Sequence, residues 1–264
     1  MFTSFGIDAD GSQVLYTKPM ETPEQKEILK AEFAEKMKGI CEKMVEDITA
    51  FFKDKAVEAH LTGSMGKGTN DALSDVDIWI TFADDKAEQA IADRMAAYEQ
   101  FGHIVQLHEM SQNAPLNGVQ TGILYKIDGE LVRVDFCLCP LSSARVAPGS
   151  KVLFEDEKVE AGEMIYDTKR IPKGLSHRVT FFISLCFVGI KKVVRGDENF
   201  IDFLNSEFKK YEKEFPELAA ASGEVGFDML KKSLTILDSL SNPEQKTAIS
   251  EIGEFLAKVE SLQV

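Results

Sequence analysis

Between Leu61 and Phe82 the chain reads Leu-Thr-Gly-Ser-Met-Gly-Lys-Gly-Thr-Asn-Asp-Ala-Leu-Ser-Asp-Val-Asp-Ile-Trp-Ile-Thr-Phe, and this stretch limits the fold more than any other. Two aspartates, Asp75 and Asp77, open an apolar run directly after a loop of small residues. Side chains alternate along a strand, so Asp75 and Asp77 share one face while Val76, Ile78 and Ile80 take the other. Two carboxylates at the mouth of a core strand repel, and each raises the other's pKa unless a cation lies between them. Magnesium is hard, oxygen-seeking and commonly held by one or two carboxylates together with substrate phosphates. The stretch therefore predicts a metal and nucleotide site at the start of a buried strand.

The glycines supply the other half of that expectation. Gly63, Gly66 and Gly68 remove side chains where a backbone must approach a ligand, Ser64 adds a hydroxyl, and consecutive amides in such a loop cradle phosphate oxygens. Two familiar phosphate loops do not fit. G-x-x-x-x-G-K-[ST] needs lysine at position 69, which is Thr69, and the third glycine of G-x-G-x-x-G falls on Asp71. What remains, Gly63-Ser64, then Met65 to Ser74, then Asp75-Val76-Asp77, resembles the signature of the DNA polymerase β-like nucleotidyltransferase superfamily.

That resemblance implies a third carboxylate on a neighbouring strand, and Asp135 matches it. Leu131 to Leu138 alternates, with Val132, Val134, Phe136 and Leu138 on one face and Arg133 and Asp135 on the other. It follows Asp128-Gly129, a strong hairpin dipeptide, after the strand-like run Gly122 to Ile127. Each part has an ordinary reading alone: an Asp-x-Asp is usually a solvated turn, and a glycine-rich loop is usually only a loop. The combination is far more specific. In the resulting assignment Asp75, Asp77 and Asp135 are the catalytic and metal residues, and Gly63, Ser64, Lys67 and Ser74 are the nucleotide contacts. Lys67 either steers phosphates or solubilises the loop, Ser74 braces the doublet, and Arg133 offsets the carboxylate charge.

Composition bounds the partners. The formal net charge is −14 over 264 residues, whereas an enzyme gripping nucleic acid neutralises phosphates with a basic face. Acidity suits a small cationic acceptor instead, which a cleft of one sign concentrates. The cysteines, Cys41, Cys137, Cys139 and Cys186, lack a second metal-type pair and read as reduced. No signal-like start is present, and the apolar run Val179 to Ile190 is too short to span a bilayer, so a cytoplasmic protein is expected.

Along the chain, Asp8-Ala9-Asp10-Gly11-Ser12 reads as a turn between short segments. Thr22-Pro23-Glu24-Gln25 is a capping box that starts a helix running to about Phe52. Strands are expected at His60–Ser64, Asp75–Phe82, His103–His108, Val119–Ile127 and Glu130–Cys139, with a helix over Asp84–Phe101. After about residue 150 four helical segments follow: Leu175–Arg195, Asn199–Phe215, Gly226–Leu240 and Pro243–Leu262, separated at Gly196-Asp197, Ser222-Gly223 and Ser241-Asn242-Pro243. The expected fold is therefore α/β (α+β): a small mixed sheet with flanking helices over residues 1–150, then an acceptor-binding helical bundle over 151–264.

That order of domains resembles the antibiotic-modifying branch of the superfamily, the aminoglycoside and lincosamide nucleotidyltransferases. The resemblance implies Mg2+, as two ions, and transfer of AMP from ATP, or of another nucleoside monophosphate, to a hydroxyl of a small molecule with release of pyrophosphate. Phe181 to Asp197 resembles that branch's first bundle helix. The cations at its end, Lys191, Lys192 and Arg195, suit the helix dipole; if that end faces the cleft, one of them, Lys192, contacts the triphosphate. Trp79 shares its face with Asp77, either to stack on a base or to pack, and Glu109 is a carboxylate for a cationic acceptor. His60, His103, His108 and His177 show no ligand spacing. Two other readings of the same motifs are a protein adenylyltransferase and a nucleotide-binding regulatory module without turnover.

Overall fold

Thr22 accepts a hydrogen bond from the Gln25 amide (3.2 Å) while the Gln25 side chain accepts one from the Thr22 amide (2.8 Å), and Pro23 presets the first helical φ. Helix α1 (Pro23–Phe52) starts there and buries Phe33, Met37, Ile40, Met44 and Ile48 as one stripe. The computed structural model describes residues 3–7, 13–17, 22–163, 166–167, 174–219 and 224–262; the expected turns at Asp8–Ser12 and Ser222-Gly223 lie outside them.

Strands β1 (Thr3–Ile7) and β2 (Gln13–Thr17) pair antiparallel as a separate ribbon. The main sheet has six strands: β3 (Glu58–Leu61), β4 (Val76–Phe82), β5 (His103–Glu109), β6 (Val119–Ile127), β7 (Glu130–Pro140) and β8 (Lys151–Glu155), in the spatial order β5-β6-β7-β4-β3-β8. Only β4 and β7 run parallel. The β6–β7 hairpin turns on Asp128 and Gly129, both at positive φ, as that dipeptide demands.

Alternation sorts the sheet into two faces. Val76, Ile78, Ile80, Val134, Phe136 and Leu138 are fully buried and meet α1 and the helical segment after β4, with Phe52 against Phe82 and Tyr98 against Phe136. The opposite face carries Asp77, Arg133 and Asp135. Helix α5 (Leu175–Val194) is tied over it: Arg133 donates to the Ser184 hydroxyl (2.6 Å) and Gln106 to the Thr180 carbonyl (2.9 Å). Around α5 gather α6 (Glu198–Lys210), the single turn α7 (Pro216–Ala219), α8 (Gly226–Leu240) and α9 (Pro243–Leu262); the expected four helices are present, but the one expected over Asn199–Phe215 ends at Lys210 and α7 follows it.

The structure differs from the sequence reading in three further places. The segment after Leu61 is not a strand to Ser64 but a five-residue helix, α2 (Gly63–Lys67), because Gly63 takes a φ of +61° and turns the chain out of the sheet. The helix expected over Asp84–Phe101 breaks into α3 (Asp84–Ala92), α4 (Arg94–Tyr98) and a 3-10 turn; at the break Arg94 donates to the Ile91 carbonyl and to Glu109. Strand β8 carries the sheet past residue 150, and its exposed edge position leaves no clean alternation to read. One contiguous apolar cluster runs from α1 through the sheet into α5, α8 and α9, so the sheet and the bundle share a core.

Candidate active site

Parallel pairing of β4 and β7 sets Asp77 level with Asp135, on adjacent strands roughly 4.8 Å apart. Asp75 lies two residues before Asp77, just ahead of the strand, and both Asp135 and Asp75 act electrostatically on Asp77. The register continues through Gly122 on β6 to His108 on β5. A Cβ at Gly122 would fall 2.5 Å from the Arg133 guanidinium and 3.0 Å from an Asp135 oxygen, so this glycine makes room for that pair.

Burial and like charge act together on the carboxylates. Removal from water raises the Asp77 carboxyl to about 7, with repulsion from Asp135 and Asp75 adding to it and Lys191 and Arg133 opposing it. Burial raises Asp135 as well, against the pull of Arg133. Arg133 is itself buried; its Nε donates to Asp135 Oδ1 (2.7 Å) and one terminal nitrogen reaches the Met110 sulfur (3.6 Å). Asp75 is paired with Lys191, whose ammonium donates to its carboxylate.

The donor chemistry fits a hard divalent cation: three carboxylates, all oxygen ligands, on one face. Among the described residues, however, no three His, Cys, Asp or Glu side chains already converge as a metal cage. Asp75 is turned to Lys191 and Asp135 to Arg133, so two of the three are neutralised by the protein's own cations.

The remaining site expectations fall as follows. Gly63 lies against Asp77, where a Cβ would sit 2.0 Å from Oδ2, and Ser64 follows it in α2. Gly66 serves packing: its Cβ would meet the Leu61 carbonyl oxygen at 2.4 Å, so it lets α2 fold back on β3. Lys67 is exposed at the end of α2. The Ser74 hydroxyl accepts from the Asp71 amide (2.9 Å), donates to the Asp71 carboxylate (3.1 Å) and meets Arg195 (3.3 Å), so it braces the loop. Lys192 is bound to Asp197 (2.7 Å), Glu109 to Arg94 (3.0 Å), and Trp79 stacks on His60 with centroids 5.9 Å apart. The structure thus brings together Gly63, Asp75, Asp77 and Asp135, and engages Lys192 and Glu109 elsewhere.

Helix geometry could have singled out Lys191. Positions 184 and 191 of α5 and the following Arg195 lie within about 40° around the helix axis, whereas 192 is rotated about 100° from 191. Ser184, Lys191 and Arg195 are the residues that reach Arg133, Asp75 and Asp71 respectively. At the other end of the helix His177 meets His108 (centroids 5.1 Å apart), and burial, then His177 and Arg133, push His108 down to about 3, holding it neutral.

A family model described as a nucleotidyltransferase domain matches residues 41–193 of the 264, a span that includes α2, all three aspartates and Lys191. A search of curated proteins found no match. No helix among the described residues is long and apolar enough to cross a membrane.

Proposed function

Because this chain belongs to the nucleotidyltransferase-domain family, a transferase family that acts on nucleoside triphosphates, we propose that it moves AMP from ATP to a hydroxyl of a small, cationic acceptor such as an aminoglycoside or lincosamide. The level placement of Asp77 and Asp135, with Asp75 just ahead of the strand, supports this reading most directly. In the reaction the acceptor oxygen attacks the α-phosphorus, a new O–P bond forms, the bond to the β-phosphate breaks, and pyrophosphate leaves.

Asp75 and Asp77 are the residues to hold magnesium ions, which would neutralise the triphosphate and stabilise the leaving pyrophosphate. Asp135 supplies a carboxylate on the same face to receive the proton of the attacking hydroxyl. Gly63 and Ser64 would bring the backbone of α2 against the leaving phosphates, the closeness of Gly63 to Asp77 keeping the phosphate and carboxylate sites adjacent. Arg133 orients Asp135 through the Nε contact, and the bundle helix α5 shields the reaction from water.

Incubation with ATP labelled at the α-phosphate, magnesium and a panel of hydroxylated antibiotics tests the acceptor class. Label on one small molecule is the expected result. Label on protein instead would move the acceptor to a polypeptide. Magnesium-dependent nucleotide binding with no transfer to either would leave a regulatory module.

A further inference from the structure

Three carboxylates crowd one face, and two cations answer them, Arg133 and Lys191. They are not equivalent. Arg133 is held by Asp135, Ser184 and Met110 on three sides, its planar fork fully engaged. Lys191 has a flexible four-carbon stem and contacts Asp75, while its neighbours on α5 are committed: Lys192 to Asp197 and Arg195 to Asp71. The Lys191–Asp75 pair is well covered, with 13% and 11% of the side chains exposed, so water screens it little. A divalent ion that uses Asp75 must compete for this carboxylate with the ammonium, which holds one of its two oxygens.

We propose that Lys191 is a place-holding cation: it occupies Asp75 in the nucleotide-free protein and excludes a free divalent ion until an incoming triphosphate draws the ammonium away. This rests on the preceding reading that Asp75 and Asp77 are the metal ligands. The triphosphate offers several anionic oxygens to the ammonium and brings its own metal to the vacated carboxylate, so metal and nucleotide bind as a unit. Arg133 stays with Asp135 throughout.

The test uses Mn2+ alone as the probe, with free Mn2+ read by electron paramagnetic resonance against full-length protein and no nucleotide. Wild type binds weakly. Lys191→Gln, and Lys191→Met as a second variant that keeps the apolar stem, bind Mn2+ about tenfold more tightly or better, since a cation at contact distance has been removed. Adding Asp77→Asn to either variant abolishes the gain. Circular dichroism establishes that each variant is folded. Unchanged or weaker Mn2+ binding in both folded Lys191 variants would overturn the proposal. A separate control keeps its failure apart from that of the site itself. Mn2+ binding to wild type with a non-hydrolysable ATP analogue must depend on Asp77; if it does not, the metal-site reading falls and the place-holder with it.

Discussion

Asp77 carries the electrostatic cost of the site. Its carboxyl titrates near 7 in the folded chain, against roughly 3.9 when unfolded, so the folded state binds the proton more tightly. The stability this confers is fully present below about pH 4 and is lost as pH rises through 7, by at most about 1.4 kcal/mol per pH unit. Asparagine cannot titrate. Denaturant unfolding of wild type and Asp77→Asn across pH 4–8 should show the variant gaining on wild type as pH rises, then levelling off above 7. The comparison must be between the two proteins, because neutral, buried His108 drives stability in the opposite direction at acid pH. A pH-independent difference would contradict the assignment of burial and repulsion at Asp77. Gly63 provides a second residue-scale test. Alanine there adds a Cβ 2.0 Å from the Asp77 oxygen, at a φ of +61°. Displacing a reacting group by about 1 Å costs on the order of 100-fold in rate, so Gly63→Ala should lose at least that much turnover with its circular dichroism spectrum retained.

At the scale of elements, the joint between β7 and α5 is the one on which both fold and site depend. Arg133 sits in the sheet, Ser184 on the helix, and Asp135 beside them. Replacing the guanidinium with an apolar chain leaves Asp135 buried without its cation, a loss of about 3–5 kcal/mol by comparison with broken buried pairs. Urea unfolding of Arg133→Met should show that loss, and adding Asp135→Asn should recover part of it, since the stranded charge is then gone. Strict additivity of the two substitutions would mean the pair is not coupled. The clasp between Arg195 and Asp71 is different, being half exposed, so Arg195→Gln should shift stability by less than about 1 kcal/mol in the same assay. Elements such as β4, β6, β7 and α1 were legible beforehand because their periodicity or caps are local signals. The α2 turn was not: it depends on a positive φ at Gly63 and on Gly66 clearing the Leu61 carbonyl, neither of which composition alone records. Strand β8 escaped because an exposed edge strand need not alternate.

For the whole molecule, Asp75 and Asp77 could be read from motif spacing and Asp135 from the superfamily resemblance, and the parallel register of β4 and β7 sets Asp77 level with Asp135. Of their counter-ions, Arg133 was legible beside Asp135, whereas helix periodicity singles out Lys191 only once the sheet-facing side of α5 is known. Lys191 reaches Asp75 across 116 positions, a contact set by how the bundle lies on the sheet. The same distance in sequence explains why the sequence reading points to Lys192, which the structure pairs with Asp197, rather than to Lys191. The net charge of −14 also acts at this scale: if the acceptor is cationic, its apparent KM should rise with added salt, while the KM of a neutral acceptor analogue should change far less. The most direct test of the account is pyrophosphate release from ATP and magnesium in the presence of candidate acceptors, for wild type beside Asp77→Asn. Release that requires one acceptor and vanishes in the folded variant is the predicted result; equal release by Asp77→Asn would contradict the assignment of this carboxylate site to nucleotidyl transfer.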